Sequence, residues 1–109
     1  MPISDQDIIT KILSASLEGK IDWKPTARSS EFAASFGGKW TLLADSFQSQ
    51  TGGLIEDLTM KDSAGKQLIR ITSRVDPRVS DLYELARRQA LKVDEALEDL
   101  FKEIDEPQS

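Results

Sequence analysis

The feature that most constrains this chain is a change of hydrophobic period along its length. Near the start, Ile8, Ile9, Ile12, Leu13 and Leu17 recur at helical spacing and form one apolar stripe. Between residues 20 and 75 apolar and polar residues alternate, the period of half-buried strands. Beyond that, Val79, Tyr83, Ala86, Ala90, Val93, Leu97, Leu100 and Ile104 stand alternately four and three apart, an unbroken a/d heptad register. Sequential strands joined by short turns pair antiparallel, and helices at the two chain ends can cover one apolar face of the sheet. The expected fold is therefore a two-layer α+β domain spanning residues 1–109. It has an N-terminal helix, an antiparallel meander of about four to five strands, and one long or two short C-terminal helices on one face.

Local signals set the boundaries. Ser4 is the N-cap of a helix over residues 4–18, with Asp7 near its positive end and Gly19 as a left-handed stop. Lys20–Lys24 alternates as a short strand that Pro25 ends. Glu31–Phe36 and Lys39–Phe47 form a hairpin around Gly37-Gly38, with Trp40, Leu42 and Ala44 facing the core. Residues 46–53 read as a polar loop or frayed strand end. Leu54–Lys61 and Gln67–Val75 pair about an Asp62–Gly65 turn that sets Lys61 against Lys66. That register places Leu58 opposite Ile69, Asp57 opposite Arg70 and Glu56 opposite Ile71. Asp76-Pro77 opens the helical region 77–105. No Gly or Pro interrupts the heptads, which allows one helix about 40 Å long. Val93-Asp94 could equally open a second helix. Glu106–Ser109 is expected to be a frayed tail.

Charge is distributed unevenly. Residues 93–109 hold seven acids and one base, whereas residues 1–92 carry thirteen bases and twelve acids. The chain reads as a near-neutral body with an acidic end, either a solvated face or a docking surface for a basic partner.

Several chemistries are excluded. The chain has no Cys and no His, so it has no disulfide, no Cys/His zinc site and no Ser-His-Asp or Cys-His catalytic group. The three Gly-Lys pairs lack phosphate-loop spacing, and no carboxylate-cage metal spacing is present. No cofactor or metal is expected. Glu56 is the one acid whose strand parity points at the core. It is read as a strand-end carboxylate that water reaches, or as marking a bulge, rather than as a raised-pKa catalytic acid. No run approaches the roughly 18 apolar residues of a membrane span. No signal-peptide pattern opens the chain, and a cytoplasmic location is expected.

Two surfaces remain as candidates. Val93, Leu97 and Leu100 on the heptad seam, with Asp94 and Glu98 beside them and Phe47 on the outer sheet face, form a candidate interaction set. The aromatic residues Trp23, Trp40, Phe32, Phe36, Tyr83 and Phe101 are expected in the core. Arg70, Arg74, Arg78, Arg87 and Arg88 form a candidate nucleic-acid face, the less favoured one because carboxylates lie close by.

The segments Glu18-Gly19-Lys20-Ile21-Asp22-Trp23 and Asp81-Leu82-Tyr83-Glu84-Leu85-Ala86-Arg87-Arg88, with Val93-Asp94 and Leu97, resemble a recurring layout in small bacterial proteins of uncharacterised function. Those proteins often carry a Gly just before the Val-Asp pair; here that position is Lys92. The resemblance implies a bacterial or phage origin and carries over no catalytic residue. The leading expectation is a non-enzymatic regulatory, accessory or immunity/antitoxin-type protein that binds another protein or itself. The alternatives are a nucleic-acid-associated protein, and a small-ligand binder or enzyme with a pocket between sheet and helices.

Overall fold

The computed structural model describes residues 3–105; the tail expected at Glu106–Ser109 lies outside the described residues. The elements follow as α1 (Asp5–Leu17), β1 (Lys24–Pro25), β2 (Glu31–Phe36), β3 (Trp40–Gln48), β4 (Leu54–Asp62), β5 (Gln67–Thr72), α2 (Arg78–Ala90) and α3 (Val93–Asp105). The strands form one sheet in the order β1-β2-β3-β4-β5, every neighbour antiparallel. This is the α+β meander the periodicities predict, with two C-terminal helices rather than one.

Each helix end has its cause. The Ser4 hydroxyl accepts the Asp7 amide at 3.1 Å and satisfies one of the free N–H groups that open α1. Gly19 takes φ 75° and lets the chain leave α1. Asp76 accepts the Arg78 amide at 3.0 Å, so its side chain caps α2 from one residue further out than expected; the flanking residue is Pro77.

The core forms where α2 crosses the sheet. Val79, Leu82 and Ala86 are almost wholly buried and join Phe32, Ala34, Leu42, Ala44, Leu58 and Ile71 in one cluster. Helix α1 packs beside α2 and adds Ile9 to that cluster. Trp23 is buried in the connector before β1, and its indole N–H donates to the Ser16 hydroxyl at 3.0 Å. The Gln89 amide of α2 donates to the Ser16 carbonyl at 2.8 Å. A buried indole without a partner would be costly, so this junction fixes how α1, the connector and α2 meet.

The structure corrects four expectations. Residues 20–23 are not a strand; β1 is Lys24–Pro25, paired with Ala33 and Phe32. Pro25 sits inside it because β1 is a sheet edge, where a missing donor is tolerated. The β4–β5 register is displaced by two residues: Leu58 faces Ile71, Thr59 faces Arg70 and Asp57 faces Thr72. The cause lies in the turn. The Asp62 amide donates to the Lys66 carbonyl, the Asp62 carboxylate accepts the Ala64 and Lys66 amides, and Gly65 takes φ 83°. The loop is thus Ser63–Gly65 rather than Asp62–Gly65, and an irregularity at Met60/Lys61 absorbs the remaining offset. A two-residue shift preserves facing, so the core residues stay in the core. Glu56 lies on the helix-covered face, as its parity predicts, but Ile71 faces Leu58 and it is Ser73, just past β5, whose amide donates to the Glu56 carbonyl. Its Oε2 is buried without a hydrogen-bond partner among the described residues. Trp40 has core-facing parity, yet it stands at the start of β3 beside the Gly37-Gly38 turn and is 41% exposed.

Leu82→Ala is expected to lower stability by about 2–5 kcal/mol, because it opens a cavity under α2. Leu68→Ala, on the exposed outer face of β5, should stay within about 0.5 kcal/mol. Urea unfolding of the two variants reads both values.

Candidate interaction surface

Helix α2 ends where its support ends. Ala90 is the last residue of the helical stripe that reaches the core. The Leu91 amide donates to the Arg87 carbonyl, the Lys92 amide to the Gln89 carbonyl, and Lys92 takes φ 54°. Lys92 is the only described residue other than glycine with positive φ. It bends the chain in a conformation that glycine adopts freely and that costs a lysine steric strain. The Lys92 carbonyl then accepts the Ala96 amide and starts α3.

Charge placement favours two helices. Arg87 and Arg88 lie in the last turn of α2, at its negative end, and Asp94 and Glu95 lie in the first turn of α3, at its positive end. In one continuous helix the same residues would sit mid-helix and lose that benefit. Arg88 also forms an ion pair with Asp94 across the elbow.

α3 leaves the body. Its packing contact is with α2, and none of its residues is fully buried. Val93 and Leu97, nearest the elbow, are half-buried. Leu100, Phe101 and Ile104 are 51%, 55% and 62% exposed. The molecule spans 62 × 38 × 25 Å, with a radius of gyration of 16.1 Å. A compact chain of this length would show about 13 Å. The heptad register is thus a core stripe through Ala90 and a solvent-facing stripe beyond it. Phe101, expected in the core, belongs to the exposed part.

The other candidate of the interaction set, Phe47, lies elsewhere. It is on the outer face of the sheet, half-buried opposite Ile55, with the Arg70 guanidinium 5.5 Å from its ring centre. Glu98 is exposed on α3, whereas Asp94 is taken up by Arg88.

The five arginines do not form one free basic face. Arg70 donates to Asp57 at 2.8 Å. Arg78 binds both Asp76 oxygens and reaches across to the Thr10 hydroxyl at 2.7 Å and the Gln6 carbonyl at 3.2 Å, tying α2 to α1. Arg87 donates to Glu84 through two nitrogens, and Arg88 pairs with Asp94. Arg74 forms no ion pair among the described residues and lines an open trough of roughly 340 Å³ with Phe47, Gln48, Ser49, Gln50, Thr51 and Ile55. A second open trough, roughly 300 Å³, lies at the elbow between Leu85, Arg88, Gln89, Lys92, Asp94 and Glu95. Neither lies between the sheet and the helices.

Two carboxylates that sequence reading did not pair face each other across β3 and β4, Asp45 and Asp57. Each has its own partner: Arg28 at 3.1 Å and the Ser30 hydroxyl at 2.9 Å for Asp45, Arg70 for Asp57. The side-chain hydrogen bond from Arg78 holds the Asp76 carboxyl below its ordinary range, and that from Arg87 does the same for Glu84. Burial raises the Tyr83 phenol, whose O–H donates to the Ser30 carbonyl at 2.9 Å.

Reasoning from the sequence misplaced Phe101 in the core and left Ile104, although on the heptad register, out of the interaction set. A helical projection beginning at Val93 puts both on the Leu97–Leu100 side. Among the described residues no helix is long and apolar enough to cross a membrane. Comparisons with family models, with curated proteins and with solved structures find no match for this chain.

Two outcomes follow from this geometry. Asp76 ionises more easily in the folded state than in the unfolded chain. Its contribution to stability is therefore present above the unfolded carboxyl pKa of about 3.9 and is lost as pH falls through its lower folded value. Asp76→Asn should accordingly lower the urea midpoint at neutral pH and approach wild type as the solution is acidified. Lys92→Gly should leave the far-ultraviolet circular dichroism unchanged and raise stability by about 0.5–1 kcal/mol, because it relieves the left-handed strain at some cost in unfolded-chain entropy.

Proposed function

We propose that this chain is a non-enzymatic protein-interaction module, and that α3 is the helix it presents to its partner. One observation carries the proposal. Leu100, Phe101 and Ile104, on successive turns of a helix that leaves the body, are each more than half exposed. A contiguous apolar stripe on solvent is unfavourable unless something covers it, and an amphipathic helix laid into an apolar groove is a recurrent solution. The ion pairs at Arg70, Arg78, Arg87 and Arg88 speak against nucleic acid as the partner, because phosphate contacts would have to displace carboxylates already in place. The role we assign it is regulatory, accessory or immunity-type, in a bacterial cytoplasm; the acidic amphipathic α3 supports the interaction part of that reading.

The test compares the full chain with a Leu100→Ser/Ile104→Ser variant. Both side chains are exposed, so the variant should fold with stability within about 0.5 kcal/mol of wild type. The tagged wild-type chain, expressed in its native cells, should retain a stoichiometric protein partner that the variant loses. Equal recovery by both chains would sink the assignment to α3. A mixture released by nuclease would point to nucleic acid instead.

A further inference from the structure

The rims of the α3 stripe restrict what can cover it. At 100° per residue, Ala96, Leu100, Val93, Ile104, Leu97 and Phe101 occupy an arc of about 140°. Asp94, Asp105 and Glu98 lie along the edge next to Phe101, and Glu103 and Asp99 along the edge next to Ala96. Lys102, the only base among residues 93–105, projects from the side opposite the stripe. The apolar arc is therefore bounded by carboxylates on both edges; α3 itself places no cation at either edge, and Arg88 of α2 neutralises only Asp94, next to the elbow.

This layout opposes pairing of α3 with its own copy. Two helices packed along their stripes approach to about 8–10 Å, and their flanking residues then face one another. A second α3 would bring acids to acids, and Lys102 lies too far round the helix to form a bridging ion pair. A complementary surface needs the opposite rim charge.

We propose that the occupant is an apolar groove on a different protein, with Lys or Arg along both rims. The inference rests on the reading of α3 as the docking helix. Thirteen residues at 1.5 Å rise require a groove about 20 Å long. Leu97, Leu100, Phe101 and Ile104 enter it, and burial of these side chains supplies most of the affinity. The carboxylates select the partner and speed its approach, in a manner that salt weakens.

The test uses two synthetic amphipathic peptides of about four heptads, Leu at a and d, one with Lys and the other with Glu at e and g. Binding of each to the full chain is read by fluorescence anisotropy, and sedimentation of the protein alone reports its oligomeric state. The Lys peptide is expected to bind at least about tenfold more tightly than the Glu peptide, and to lose about tenfold between roughly 50 and 300 mM salt. Leu100→Ser/Ile104→Ser should weaken binding by at least about tenfold with every acid kept. Glu98→Gln/Asp99→Asn/Glu103→Gln should weaken it with the stripe kept. Equal binding of the two peptides overturns the proposal. So does binding that survives loss of the stripe, which would be general attraction to an acidic protein. A dimer of the protein alone that disappears in the Leu100→Ser/Ile104→Ser variant also overturns it, by making a second copy the occupant. If cellular capture depends on Leu100 and Ile104 but rim charge has no effect, the docking helix stands and only the partner's chemistry falls.

Discussion

The burial of α2 on the sheet is the constraint on which the remaining structure depends. Val79, Leu82 and Ala86 fill the middle of the covered face, and the polar residues of the same helix reach out to everything around it. Arg78 ties its start to α1, Tyr83 holds the β1–β2 loop at Ser30, and Gln89 reaches the Ser16 carbonyl beside the Trp23 indole. Area burial supplies the free energy, while the hydrogen bonds decide which arrangement of α1 and the connector receives it.

The same constraint explains why the chain bends after Ala90. Helix α2 has lost its sheet support there, and continuing straight would carry Arg87, Arg88, Asp94 and Glu95 into the interior of one long helix. Breaking it puts cations at a helix C-terminus and acids at an N-terminus. It also permits the Arg88–Asp94 ion pair. These gains offset the strain of a left-handed lysine. The outcome is a body with a closed core and a short acidic helix whose apolar side has no partner within the chain.

The outer face of the sheet follows a different logic. Asp45 and Asp57 face each other across β3 and β4, an arrangement that would be repulsive alone. Arg28 takes one and Arg70 the other, and Arg70 also covers Phe47. Basic residues that look available along the chain are thereby consumed in holding the sheet's own acids. This is why the arginine count is a poor guide to function here.

The sequence by itself determined the element types outside residues 20–25, the facing of nearly every strand residue and the caps at Ser4 and Gly19. Those properties are local: side-chain period, cap chemistry and turn preference act over a few residues. It also made the acidic amphipathic end legible, including Leu97 and Leu100. Tertiary structure decided what depends on distant partners. The Asp62 turn geometry displaced the β4–β5 register by two, which alternation cannot detect because a shift of two preserves every face. The end of the sheet decided that one heptad register would serve as core through Ala90 and as exposed surface from Leu100 to Ile104. A stripe of given spacing looks the same in either role. Only what lies opposite it determines whether it is buried.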